Sequence, residues 1–198
     1  MHISFVILIV AFCGNVKSSL AIGIVPQSVE AYNSVTDYYW RDYQGLVPSD
    51  AIVGGVDLDG IKTYIGQFSV EAQYGQQKSK IHLLPATIRI GVVGAYAPYY
   101  GRVVYANHTD NVKVLCGPYA SRFWWYSMTE VFPPKCRFVV TGNEDLSPMY
   151  TGQATVDKEK ITGKIFSDTL NHRPGLTIPL ANGQVNSPTD YLVLTYCN

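Results

Sequence analysis

Residues 39–67 read YWRDYQGLVPSDAIVGGVDLDGIKTYIGQ, and this stretch decides the fold class. Ala51-Ile52-Val53 is short, apolar and β-branched at two positions, and Gly54-Gly55 then interrupts it. β-branched side chains suit a pleated surface, and paired glycines break one. Asp57-Leu58-Asp59-Gly60 has turn chemistry, because Gly adopts positive φ cheaply and Asp bonds nearby backbone N–H groups. A strand pattern resumes from Ile61 to Phe68 and continues in Ile81-His82-Leu83-Leu84 and Thr87 to Val93. No long apolar stripe has helical period, and 17 Gly and 11 Pro oppose long helices.

Outward from this stretch, the chain repeats itself. Trp40 precedes Tyr64-Ile65-Gly66-Gln67 by 24 residues, and Trp125 precedes Tyr150-Thr151-Gly152-Gln153 by 25. Asp59 and Asp145 each lie five residues before the Tyr of their own copy. Pro48 and Pro133-Pro134 come early in each copy. Thr87-Ile88 aligns with Lys164-Ile165, Gly101-Arg102-Val103 with Gly183-Gln184-Val185, and Val114-Leu115 with Val193-Leu194. Copy one carries about nine extra residues between Gln67 and Leu83. The expected architecture is all-β: two tandem antiparallel repeats with approximate two-fold symmetry sharing a compact core. The expected segments are 1–21 (a secretory signal peptide), 22–38 (an N-terminal extension), 39–117 (the first repeat) and 123–198 (the second). Trp40, Trp124 and Trp125 are expected in the core, where large aromatics bury most area.

The stretch 39–67, the later LLPATI and VKVLC, and in copy two MYTGQ, ITGKI and YLVL resemble the DM-nine repeat family as it occurs in secreted insect proteins. The resemblance covers nearly all of 39–197. It implies a compact all-β fold and a mannose-type lectin role in innate immunity, with mannose-containing glycans or a microbial surface as partner. In that family a turn Asp and a Lys contact the sugar, one pocket per repeat. Carried over, these are Asp59 and Asp145 for the turn, and Lys164 in Thr162-Gly163-Lys164 of copy two. Copy one departs here, with Thr87 at the Lys position. Glu159 is the nearest candidate for an additional acidic contact. The chemistry is coherent, because a carboxylate accepts from vicinal sugar hydroxyls and an ammonium donates to another. An Asp in a turn also commonly serves its own backbone.

The apolar run Ile3 to Phe12, broken by Ser4, is too short to span a bilayer. The small residues Ser18 to Ala21 follow it, which gives the signal-peptide expectation with cleavage after Ala21. The mature protein is therefore expected to be extracellular and without a membrane span. Cys13 leaves with that segment, so Cys116, Cys136 and Cys197 are the disulfide candidates. In an oxidising compartment they form one bridge and one spare thiol, and the sequence leaves the pairing open. Asn107-His108-Thr109 is a glycosylation sequon in a polar stretch.

Lys plus Arg equals Asp plus Glu at 15 each, so no basic field draws the chain to nucleic acid. Fifteen Tyr suit both strands and binding surfaces. No phosphate loop, dinucleotide fingerprint, nucleophile elbow or metal-ligand spacing is present, so neither catalysis, a cofactor nor a metal is expected. Weak sugar sites gain from pairing, which favours a homodimer. The rival expectation is a secreted or salivary scaffold that binds another protein.

Overall fold

A computed structural model describes residues 37–72, 80–170 and 175–198 of the chain. The expected signal peptide and most of the N-terminal extension lie outside the described residues. The rest is antiparallel β structure, as the strand and turn signals required. In chain order the strands are β1 (Tyr39–Asp42), β2 (Val53–Val56), β3 (Lys62–Ala72), β4 (Lys80–Arg89), β5 (Gly94–Tyr99), β6 (Arg102–Asn107) and β7 (Lys113–Cys116). They continue with β8 (Phe123–Ser127), β9 (Cys136–Phe138), β10 (Val140–Glu144), β11 (Ser147–Val156) and β12 (Glu159–Phe166). The last are β13 (Leu176–Pro179), β14 (Val185–Asn186) and β15 (Leu192–Cys197). Two single-turn 3₁₀ segments, Ala120–Arg122 and Ser167–Thr169, are the only helical pieces among the described residues.

Strand pairing closes on itself. β2 pairs β3, β3 pairs β4, β4 pairs β10, β10 pairs β11, β11 pairs β12, and β12 returns to β2. Such closure leaves these six strands with no free edge along the ring. The remaining strands extend it. β7 carries β1 onto β3, and β15 carries β8 and β9 onto β11. β5 brings β6 onto β4, and β13 brings β14 onto β12.

Several residues aligned by the sequence occupy matching registers. Gly66 faces Val114, and Gly152 faces Val193. Ile65 faces Thr87, and Thr151 faces Lys164. Pro98 faces Val103, and Pro179 faces Val185. A register shift interrupts β2 between Val53 and Gly55, and another interrupts β10 between Val140 and Gly142. The surplus of copy one lies between the paired residues Gln67 and Pro85, partly in a longer β3 and β4, whereas β11 and β12 meet in a tight turn at Asp157-Lys158, both with positive φ.

The seam between the ring's two halves explains the glycines. A Cβ on Gly55 would stand 1.9 Å from the Lys160 carbonyl oxygen, and one on Gly142 would stand 2.3 Å from that of Leu83. Only glycine lets β2 approach β12, and β10 approach β4, so closely. Gln153 fastens the seam by donating to the Gly54 carbonyl at 2.5 Å.

Three apolar clusters fill the interior. One joins strands of the first copy around Phe68, Leu84, Ile88 and Val114. A second gathers Ile161, Ile165, Leu176 and Val193. A third sets Ile52, Ile65 and Leu115 against Val139, Leu194 and Tyr196, with Trp40 and Trp125 packed on it. Burying such an aliphatic side chain stabilises by about 1.5–3 kcal/mol. Trp124 corrects the expectation, since it alternates to the outer face of β8 and is 61% exposed. Cys136 and Cys197 form the disulfide, tying β9 to β15, while Cys116 is free and buried.

Candidate functional site

Lys164 lies on β12, where pleating puts it on the same face as Thr162 and Phe166. It is buried, and its ammonium donates to Glu144 Oε1. The same ammonium stands 5.4 Å from the ring centroid of Tyr99 and 5.1 Å from that of Phe166. Both distances are within cation–π range. A buried ammonium needs such partners, since an isolated charge is costly to desolvate. Glu144 reaches it because it is the last residue of β10, immediately before the turn.

Asp145 and Leu146 form that turn, with φ of 47° and 70°. Two successive positive φ values make a two-residue hairpin of type I′, and Asp tolerates the first position. The turn exposes Asp145, whose Oδ1 accepts from Lys80 Nζ at 2.9 Å and lies 3.4 Å from His82 Nε2. His82 is buried, and its Nδ1 lies 2.9 Å from the Tyr99 hydroxyl. Burial pushes the Tyr99 hydroxyl up to about 12, so it keeps its proton.

These groups border a surface cleft. A cavity of about 360 Å³ is lined by Tyr99, Tyr100, Glu144, Lys164, Phe166 and Thr177, among others. It adjoins one of about 330 Å³ on which both Glu144 and Asp145 border. The cleft is composite: Lys164, Glu144 and Phe166 come from residues 123–198, and Tyr99 and Tyr100 from residues 39–117.

Of the four carbohydrate candidates, Asp145 and Lys164 border this cleft. Asp59 does not. It is exposed at the tip of the β2–β3 turn, where its N–H donates to Asp57 Oδ1 at 3.1 Å. Counted between the matched pairs Val53–Tyr64 and Val140–Tyr150, this hairpin is one residue longer than the β10–β11 hairpin, so strand register matches Glu144 with Asp57 rather than Asp59. Asp57 also accepts from the Ile61 N–H, an arrangement that serves its own backbone. Glu159 is buried in a different place, paired with Arg89 at 2.5 Å. Burial raises its carboxyl above the ordinary range despite Arg89, and nearby Asp57 adds to the effect. At the copy-one position of Lys164, the hydroxyl of Thr87 lies 2.7 Å from that of Thr162, within the interior. Asn107 is exposed at the end of β6, its N–H bound by Asp110.

Sequence reasoning passed over Glu144, although it directly precedes Asp145, and Phe166, although it lies two residues beyond Lys164 on the same strand face. Tyr99, His82 and Lys80 gave no local signal, because they reach the site only through pairing of β4 with β10 and β5 with β4.

Among the described residues no group of His, Cys, Asp and Glu is placed to hold a metal ion, and no helix is long and apolar enough to cross a membrane. What fold and site define is an all-β chain with a cleft that mixes paired charges with aromatic faces. The chain matches no protein-family profile and no curated protein.

Proposed function

We propose that the chain is a secreted carbohydrate-recognition protein of the DM-nine repeat type, which binds mannose-type sugars in the cleft at Lys164 and Glu144. The buried Lys164–Glu144 pair beside Tyr99 and Phe166 carries this reading. A sugar ring needs donors and acceptors fixed for adjacent hydroxyls and an apolar surface for its C–H face. The pair supplies the first and the aromatic rings supply the second. The cavity of about 360 Å³ is large enough for a small ligand. Paired rather than lone cations favour a neutral polyol over a phosphate. Recognition of microbial glycans in innate immunity, with dimerisation adding avidity, extends the same reading. The two copies then differ in use, with copy one giving up its Lys at Thr87.

Calorimetry with mannose tests this. The wild type should bind, and Lys164→Met and Tyr100→Asn should not. Tyr100→Asn removes an exposed ring while keeping a residue type that accepts the φ of 45° at that position. Far-ultraviolet circular dichroism would establish that each variant is folded. Absence of heat with wild type, for mannose and across a glycan array, would sink the reading.

One observation favours a protein-binding scaffold instead. Exposed Trp124 borders a cavity of about 370 Å³ with Tyr126, Pro133 and the Cys136–Cys197 bridge. Exposed Trp beside an apolar hollow is typical of an interface anchor. Trp124→Ala would abolish partner binding on that reading and leave sugar binding intact.

A further inference from the structure

The sugar cleft does not end at Lys164. The cavity of about 360 Å³ shares Tyr100, Glu144 and Phe166 with the neighbouring cavity of about 330 Å³. That neighbour in turn shares Asp145 with a third, also about 330 Å³, lined by Lys80, Ile81, His82, Asn143 and Leu146. Each hollow lies near the lower end of the size range for a ligand pocket, roughly 300 Å³. Together they form one run along the β10–β11 turn.

The chemistry along the run has a pattern. At one end Lys164 is paired with Glu144 beside aromatic rings. The middle offers carboxylates at Asp145 and Asp168 and hydroxyls at Ser147 and Thr169. At the far end Lys80 is paired with Asp145, next to the Asn143 amide. Each cation along the run faces a carboxylate, so the groove offers fixed donors and acceptors with no net positive field to attract an anion. Two large apolar side chains rim the far end, Ile81 at 67% and Leu146 at 92% exposure. Apolar side chains so exposed beside a polar hollow suit the C–H face of a second sugar ring.

We propose that the groove takes a neutral, linear oligosaccharide, with Lys164 and Glu144 holding one ring and Lys80, Asp145 and Asn143 holding another. This rests on the carbohydrate reading above and adds the length and charge of the ligand. Lys80 and Asn143 become specificity-determining residues, and Ile81 and Leu146 gain a role that packing does not give them.

Calorimetry with mannose, a linear α-linked mannotriose and a sulfated disaccharide separates the alternatives. The trisaccharide should bind at least about ten-fold tighter than mannose, a difference of about 1.4 kcal/mol. Lys80→Ala and Asn143→Ala should remove most of that gain, so that each variant binds mannotriose about as weakly as mannose. Lys80 is well exposed, so its loss leaves the fold in place. Equal affinity for mannose and mannotriose overturns the extended groove while the single-sugar site stands. So does a trisaccharide gain that survives both substitutions. Tighter binding of the sulfated sugar overturns the neutral-ligand claim. If no sugar binds the wild type, the carbohydrate reading falls and the extended groove falls with it.

Discussion

Lys164 on β12 and Glu144 at the end of β10 form an ion pair whose side chains are 8% and 7% exposed, although the strand β11 separates theirs in the sheet. Burial makes the pair conditional. Each charge is tolerated because the other is present, and removing one leaves the other desolvated without its counter-charge. Lys164→Met and Glu144→Gln should therefore each destabilise by about 3–5 kcal/mol. The double variant Lys164→Met/Glu144→Gln should cost clearly less than the two singles together. Urea denaturation of the four proteins checks this, and strict additivity would mean that the pair is not coupled.

The close approach of the two halves sets a second expectation. Gly55→Ala and Gly142→Ala would each drive a methyl into a carbonyl oxygen of the facing strand, at Lys160 and Leu83 respectively. Backbone cannot step aside as a flexible side chain can. Each substitution should cost about 3 kcal/mol. Hydrogen exchange at the paired residues Val56, Lys160, Leu83 and Asn143 should accelerate first, because these pairings close the ring. Unchanged exchange there, with the melting temperature preserved, would show that the seam is not as tight as drawn.

The bridge between Cys136 and Cys197 spans 61 residues and ties β9 to β15. A loop of that length restricts the unfolded chain, and the chain-entropy account puts the stabilisation at about 4 kcal/mol. Cys136→Ser/Cys197→Ser should lower the denaturation midpoint accordingly. Sugar affinity should be unchanged, since neither cysteine borders the cleft at Lys164. Thermal melts with and without reductant, beside mannose calorimetry, measure both halves of this expectation.

Among the described residues Cys116 is the remaining thiol, and its place in the core governs its chemistry. Burial pushes it up to about 11, and the neighbouring Asp50 carboxylate adds to the effect. The folded protein thus holds this proton where the unfolded chain releases it, near pH 9. Its contribution is fully present below pH 9 and is lost as pH rises toward 11. Cys116→Ala should show a shallower loss of stability than wild type across that alkaline window. Iodoacetamide at pH 8 should label Cys116 only after denaturant is added, and rapid labelling of the native protein would contradict its burial.

Much of the architecture was legible in local sequence. The Asp57 to Gly60 turn marks the hairpin into β3, because positive φ is a short-range property. The strand expected at Ala51 to Val53, by contrast, lies at Val53–Val56 and runs through Gly54-Gly55, since only glycine permits the close approach to Lys160 there. The aligned residues Thr87 and Lys164 face Ile65 and Thr151, and Val114 and Val193 face Gly66 and Gly152. Trp124 was misread because hydrophobicity alone does not say which of two adjacent tryptophans faces inward. Strand alternation sends Trp125 to the core and Trp124 to solvent. Asp59 and Asp145 look equivalent when counted from the following Tyr, but a one-residue difference in hairpin length separates them.

By itself, then, the sequence determined the all-β class and most of the strands and turns, and it singled out Asp145 and Lys164. Only the tertiary structure decided that Glu144 rather than Glu159 neutralises Lys164, and that Cys116 is left unbridged among the three described cysteines. It likewise decided that Tyr99, His82 and Lys80 of the first copy complete a cleft begun by the second. Lys80 meets Asp145 across 65 residues of chain. Local pattern encodes the period of a strand and the geometry of a turn. Which strands lie side by side, and hence which side chains converge, is fixed when the ring closes and the core packs.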